Sequence, residues 1–190
     1  MRMDPPLDKA GEGLSARHAA AARWLPAANF MLAEGIDSCP IPIFVLDRNH
    51  VIAHWNRALA ALSGLPPERQ IGTCNQWEAF YPSARPTLAD LVLDGALEDR
   101  INQFYHEKSR PSPLTPGAFE AEDFFPAIGD GGRWLFFTAA PLHDEAGEVV
   151  GAIETLQDVT EQKRAEQALR DSEARYRLLS ITDGLTGLYN

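Results

Sequence analysis

Residues 147–163 read GEVVGAIETLQDVTEQK, and the parsing of this stretch governs everything around it. From Glu148 to Leu156 the run is rich in β-branched residues, the composition of a strand on a pleated surface. After Asp158-Val159-Thr160 the composition turns at once to Glu, Gln, Lys, Arg and Ala, with neither Gly nor Pro between. A strand that passes straight into a charged helix is a mechanical junction, because displacing one must pull or twist the other. A sensor would be coupled to an output in this way.

Working back from the junction, Arg133 to Leu142 (RWLFFTAAPL) is the strongest strand signal in the chain. Ala118 to Ile128 alternates weakly and is interrupted by Pro126. Gly129-Asp130-Gly131-Gly132 and His143 to Gly147 are hairpin turns, so the three runs form a meander. Near the other end, Ile41–Leu46 and Val51–Trp55 flank the turn Asp47-Arg48-Asn49-His50 and make a further hairpin. Between hairpin and meander lie short helices. Asn56 caps Arg57–Leu62, which ends at Ser63-Gly64, and Pro66-Pro67-Glu68-Arg69 opens a helical turn closed by Gly72. An aromatic and Pro-rich stretch follows, with Trp77, Phe80, Tyr81, Pro82 and Pro86. Thr87 then caps a longer helix whose apolar face is Leu88, Leu91 and Val92, continuing beyond Gly95 through Leu97, Ile101, Phe104 and Tyr105. Arg110 to Gly117 reads as loop. The order of elements predicts an α+β fold: one five-stranded antiparallel sheet with short helices on one face.

Forward of the junction the pattern is helical without a break. Ala165, Leu169, Ser172, Tyr176 and Leu179 step by 4, 3, 4 and 3, the spacing of a coiled-coil seam. Glu166–Arg170, Asp171–Arg175 and Glu173–Arg177 add i,i+4 pairs with the acid first. Two to three heptads with Ala and Ser in the seam are marginal alone. Pairing through this helix therefore needs a second surface, and a lone solvated helix is the alternative. At the other end, residues 1–14 have the composition of a disordered leader. Residues 15–35 form a helical segment, with Ser15 as its cap, Ala19–Ala22, Trp24 and Leu25 apolar, and Pro26 opening a second helix through Phe30, Met31 and Leu32. Its apolar surface calls for a partner, either the same domain or a second copy of the chain.

The 190 residues are 45% hydrophobic with 14 Gly and 14 Pro, enough for one domain plus flanks. A net charge of -10 argues against a nucleic-acid footprint or an anionic-membrane anchor. Cys39 and Cys74 share no disulfide or zinc spacing, which suits a reduced, cytoplasmic setting. The leader lacks the apolar core of a signal peptide, and no window approaches the roughly 18 to 20 apolar residues of a membrane span. No membrane contact is expected within this chain.

Residues 36–160 resemble a PAS sensor domain. The resemblance is carried by Ile43-Phe44-Val45-Leu46-Asp47 turning into His54-Trp55-Asn56-Arg57-Ala58, by Ser63-Gly64 and Ile71-Gly72, and by the last two strands. The closing Asp158-Val159-Thr160 resembles the Asp-Ile-Thr element that joins such domains to a signalling helix, here 161–181, and those three residues are the expected transmitters. Residues 182–190 are expected to begin a further domain, since Asp183-Gly184-Leu185-Thr186-Gly187-Leu188-Tyr189-Asn190 resembles the opening motif of a GGDEF diguanylate cyclase domain. The resemblance implies a bacterial sensory and dimerisation module that regulates a C-terminal diguanylate cyclase, and so cyclic-di-GMP signalling, through the strand-to-helix linker. It implies a homodimer held through the N-terminal and C-terminal helices. The chain itself is not expected to be an enzyme, since residues for GTP and metal would lie downstream. The alternative is a ligand-free dimerisation scaffold.

PAS domains share a fold but differ in ligand, so the pocket has to identify it. Haem, flavin and a small metabolite are the candidates, and no motif selects one. For haem the eligible ligand is His106, although its polar neighbours near the helix end favour a solvent-facing side chain. His50 and His143 lie in turns, and His54 on the second strand. Cys74-Asn75-Gln76 lacks the Asn-Cys-Arg context of covalent flavin attachment. Trp55, Trp77, Phe80, Trp134 and Phe136, with Phe124, either line a pocket or fill the core. Glu154 in the last strand is a candidate interior acid, with its facing left open by alternation. Arg85 and Asp90 flank the start of a helix, as a polar anchor or a local ion pair. No catalytic constellation, nucleophile elbow or metal site is indicated.

Overall fold

The computed structural model describes residues 31–96, 98–106 and 108–181. The leader, residues 15–30 of the N-terminal helical segment and the Asp183–Asn190 motif lie outside them. Of the N-terminal segment, residues 31–37 are helical (α1).

The β-branched run that opens the sequence reading forms β6 (Val149–Asp158), which lies inside the sheet rather than at its rim. One side of it pairs with β1 (Ile43–Asp47), itself paired with β2 (Ile52–Trp55). On its other side lies β5 (Arg133–His143), followed by β4 (Phe119–Phe125) and β3 (Ser109–Pro111). The order β2-β1-β6-β5-β4-β3 is antiparallel throughout and has six strands, not five. The added strand, β3, comes from the stretch expected to be loop. It is three residues long and sits at an edge, where Pro111 can lack an N–H without breaking a ladder on both sides.

The expected caps are in place. Asn56 caps α2 (Arg57–Ser63) by accepting from Leu59 N, and Gly64 closes it in the left-handed region at φ 74°. Pro67–Gln70 forms a single turn, α3, and Gln76–Ala79 a 3₁₀ turn. Thr87 and Asp90 form a reciprocal capping box at the start of α4 (Leu88–Leu93). The long helix expected to run past Gly95 is instead two. Gly95 takes φ 63°, which breaks the ladder, and α5 (Glu98–Tyr105) restarts beyond it. α6 (Thr160–Ile181) follows β6 after a single intervening residue.

Strand alternation sorts the sheet into two faces. Leu135, Phe137 and Ala139 of β5, Ala152 and Leu156 of β6, and Phe44 and Leu46 of β1 point to the helices and are buried. Leu59, Leu88, Leu91 and Ile101 meet them from the helical side. Phe44, Phe80, Phe125, Phe137 and Tyr105 form a chain of rings with centroids 5.7 to 6.3 Å apart through this core. Trp134, Phe136 and Thr138 stand on the opposite, partly open face. Leu169 and Tyr176 of α6 are 61% and 71% exposed, so the apolar stripe of that helix has no cover from the rest of the domain. Among the described residues no helix is long and apolar enough to cross a membrane.

Candidate functional site

The first turn of α4 collects the polar groups of the interior. Asp90 accepts from Thr87 N and Thr87 Oγ1 at 2.8 and 2.7 Å, and from Gln76 Nε2 at 2.7 Å. From the β1–β2 turn, His50 places Nδ1 2.7 Å from Asp90 Oδ1 and Nε2 3.2 Å from Asp94 Oδ1, bracketed by two carboxylates. His50 reaches them from a left-handed backbone conformation (φ 63°), held by hydrogen bonds from Asn49 N and Val51 N to Asp47 Oδ1.

Glu154 approaches the same turn from β6. Its Oε2 accepts from Ala89 N at 2.7 Å, and the residue is 3% exposed. Burial pushes its carboxyl up to about 8; the Ala89 hydrogen bond opposes the shift and the neighbouring Asp90 charge adds to it. Burial therefore favours the neutral acid at Glu154 over the carboxylate.

A second group adjoins it. Tyr81 and Tyr105 share a hydrogen bond between hydroxyls 3.1 Å apart. Burial raises the Tyr81 hydroxyl to about 12 and Tyr105 well above its ordinary value, and both feel the Glu154 carboxyl. The Arg85 guanidinium lies 4.1 Å from the Tyr81 ring centroid, 5.1 Å from that of Tyr105 and 5.3 Å from that of Phe104, and donates to the Phe104 carbonyl at 3.2 Å. Among the described residues four buried side-chain polar atoms lack a partner within the chain: both amide atoms of Gln70, Gln76 Oε1 and Arg85 Nε. Orphans of this kind are uncommon in a folded interior.

The seven residues expected around a ligand do not converge. Trp55, Phe80 and Glu154 are in the interior, and Trp55 Nε1 donates to Leu65 O at 3.1 Å. Trp77 is half-buried on the 3₁₀ turn. Trp134 and Phe136 belong to the far face of the sheet, since register pairs them with Phe124 and Glu122, and the β5 residues that face the helices are Leu135 and Phe137. His106 is exposed just past α5, in a left-handed conformation. Arg85 and Asp90 do not pair with each other; each belongs to its own network. Tyr81, Tyr105, Gln76 and His50 went unseen as site residues. Tyr105 reads in sequence as one more apolar-face residue of a helix, and nothing local links it to Tyr81.

The transmitter residues are gripped by the start of β5. Val159 N donates to Trp134 O at 2.9 Å, and Trp134 N donates to Thr160 Oγ1 at 2.9 Å. Asp158 pairs with Arg133 and caps the turn by accepting from Thr160 N. Partial burial works against its charge, but the Thr160 and Arg133 hydrogen bonds prevail and hold the carboxyl below the usual range. One turn on, Lys163 Nζ lies 2.6 Å from Glu122 and 5.7 Å from the Trp134 ring centroid.

Comparison with known proteins agrees with this architecture. The family described as PAS fold matches residues 36–164. Among solved structures, an RNA-binding light-oxygen-voltage receptor superposes with a TM-score of 0.53 at 19% identity, over 80% of this chain and 38% of that one. The PAS domain of Bordetella pertussis BvgS gives 0.46 at 18% identity, over 78% and 98% of the two chains. A phage VqmA–DPO complex gives 0.46 at 22%, over 80% and 62%. The chain thus spans well under half of the receptor it superposes on, and at these identities the likeness concerns the fold alone. No curated protein matches the chain.

Proposed function

Since the chain belongs to the PAS fold family, we propose that it is the sensory and dimerisation module of a larger signalling protein, passing a change in its interior through β6 into α6. The observation that carries this reading is the pair of hydrogen bonds that tie the Trp134 backbone to Val159 N and Thr160 Oγ1. With the helix bolted to the sheet at its first residue, a shift or twist of β5–β6 becomes a rotation of α6 rather than being absorbed in a slack linker. Glu154 lies on the same strand and touches α4, so the interior and the transmitter share one rigid element.

The output we infer is a diguanylate cyclase, on the strength of the resemblance of residues 183–190 to the start of a GGDEF domain. Such enzymes join two GTP molecules across a dimer. A pair of α6 helices, seamed by Leu169 and Tyr176, would then set the spacing of the two halves. The test is a four-residue insertion after Glu161 in the full-length protein, which rotates and lengthens the helix without touching the sensor. Cyclase activity or its regulation should change; a protein indifferent to the insertion would sink the coupling.

A second reading, a ligand-free dimerisation scaffold, is favoured by the continuous ring contacts of Phe44, Phe80, Phe125 and Phe137, which fill the interior with the chain's own side chains. Native mass spectrometry and an absorbance spectrum of the purified protein separate the two. A retained mass, or a haem or flavin band, supports the sensor; a colourless dimer that neither retains nor takes up any ligand supports the scaffold.

A further inference from the structure

His50 stands between two carboxylates, and each of its ring nitrogens meets one of them. Nδ1 lies 2.7 Å from Asp90 Oδ1, and Nε2 lies 3.2 Å from Asp94 Oδ1. A carboxylate offers only acceptors, and a neutral imidazole carries only one N–H. In either neutral tautomer a ring lone pair would therefore face a carboxylate oxygen. The imidazolium, with an N–H at both positions, satisfies both contacts at once.

The other groups around the ring hold the two carboxylates in place. On α4, Asp90 Oδ2 accepts from Thr87 N and Thr87 Oγ1, and Asp90 Oδ1 also accepts from Gln76 Nε2 of the 3₁₀ turn. Asp94 Oδ2 lies 3.5 Å from Arg100 Nη2 of α5. From β6, Glu154 adjoins Asp90. At the end of β1, Asp47 is engaged by Asn49 N and Val51 N, and its charge reaches His50 as well. The His50 side chain is 34% exposed, so solvent can deliver or remove the ring proton.

We propose that His50 is a proton-operated latch: its imidazolium pins the β1–β2 turn to α4, and loss of the ring proton turns one of the two contacts repulsive. The remaining contact is weakened too, because the donor is no longer charged. The release is passed onward, since Ala89, next to Asp90, is hydrogen-bonded to Glu154 of β6. The proposal rests on the sensory reading above, for which it names the proton as an input.

The test is nitrogen NMR of the His50 ring and urea denaturation of the 190-residue chain. Both are run at about pH 5.5 and 8.5, on either side of the range in which an imidazole ordinarily titrates. Both ring nitrogens should be protonated at the lower pH and only one at the higher. His50→Asn suits the left-handed backbone and does not titrate. Between the two pH values the parent's unfolding constant should worsen about fivefold relative to that variant. Glu154 titrates in both proteins, so its effect cancels in the comparison. Asp94→Asn gives the sharper contrast, and carries the test if His50→Asn does not fold. Its amide can donate to the bare nitrogen of a neutral ring, so both contacts survive at either pH. The parent should lose about the same factor relative to it as pH rises. A ring neutral at the lower pH, a ring still doubly protonated at the higher, or equal pH dependence in parent and variant would each overturn the latch. That failure would leave the strand-to-helix coupling standing, since coupling is read separately in the insertion experiment.

Discussion

The backbone N–H of Ala89 donates to Glu154 Oε2 at 2.7 Å, joining residues 65 apart in the chain. Ala89 belongs to the first turn of α4, and Glu154 to the strand that ends two residues before α6 begins. A displacement of α4 is thus applied directly to β6. Gln76, His50 and Thr87 converge on Asp90, one residue along, so the 3₁₀ turn and the β1–β2 turn are tied to the same point.

The protonation of Glu154 gives stability a pH dependence with a definite sign. The folded carboxyl titrates at about 8 and the unfolded one near 4.5. Between those values the unfolded chain releases a proton that the native state keeps, so this residue's contribution falls as pH rises and is lost above about 8. Glu154→Gln keeps an acceptor for Ala89 N and cannot ionise. Urea denaturation from pH 5 to 9 should show a shallower decline for the variant, and the variant should be the more stable protein at pH 9. Parallel curves would contradict the assignment.

Asn56 holds more than its helix. Its Oδ1 accepts from Leu59 N and Ile43 N, and its Nδ2 is shared among the carbonyls of Ile36, Cys39 and Ile41. Asn56→Ala removes a cap and strands several buried backbone groups, at a cost of about 3 kcal/mol. Asn56→Asp keeps the cap but loses the donors and buries a charge. It should be destabilised as well, which a cap-only role would not produce. Chemical denaturation of both variants decides.

Gly151 is required for closeness, not for an unusual backbone angle. A Cβ there would collide with the Leu46 carbonyl oxygen, part of the β1 backbone facing it. Backbone cannot swing aside as a side chain can. Gly151→Ala should therefore cost more than about 2 kcal/mol and broaden the amide resonances of β1 in an NMR spectrum. A variant as stable as the parent would show that β1 and β6 can part freely.

At the transmitter, Thr160→Val removes the acceptor of Trp134 N while keeping shape. The expected loss of stability is about 1 kcal/mol. The larger effect should fall on regulation, since the Trp134 backbone then holds the start of α6 only through Val159 N. Hydrogen exchange at the Trp134 amide should quicken, and exchange at the buried Leu135 amide should not. Equal protection in variant and parent would remove Thr160 from the coupling.

Much of this was legible in the chain. Asn56, Gly64 and Thr87 announce helix ends because capping is a local matter, settled within three or four residues. The passage from Asp158 through Thr160 into α6 is local in the same way. The added strand β3 was not legible, since three residues containing a proline carry no strand pattern and become one only by pairing with Phe119–Ala121. The break at Gly95 was underread because apolar periodicity resumes on both sides of it.

The sequence by itself determined the α+β class, the two hairpin-bearing regions and the rigid strand-to-helix junction, each written in spacing and turn chemistry over short windows. Alternation in Arg133–Leu142 and Glu148–Val159 also established that each strand has two faces. Tertiary structure alone decided which face the helices cover, placing Leu135 and Phe137 inside, Trp134 and Phe136 outside, and Glu154 within the core. It alone brought Arg85 to Tyr81 and Tyr105, and His50 to Asp90. Those pairings depend on the register of strands and the packing of helices tens of residues apart, where the free energy lies in contacts that no local window contains.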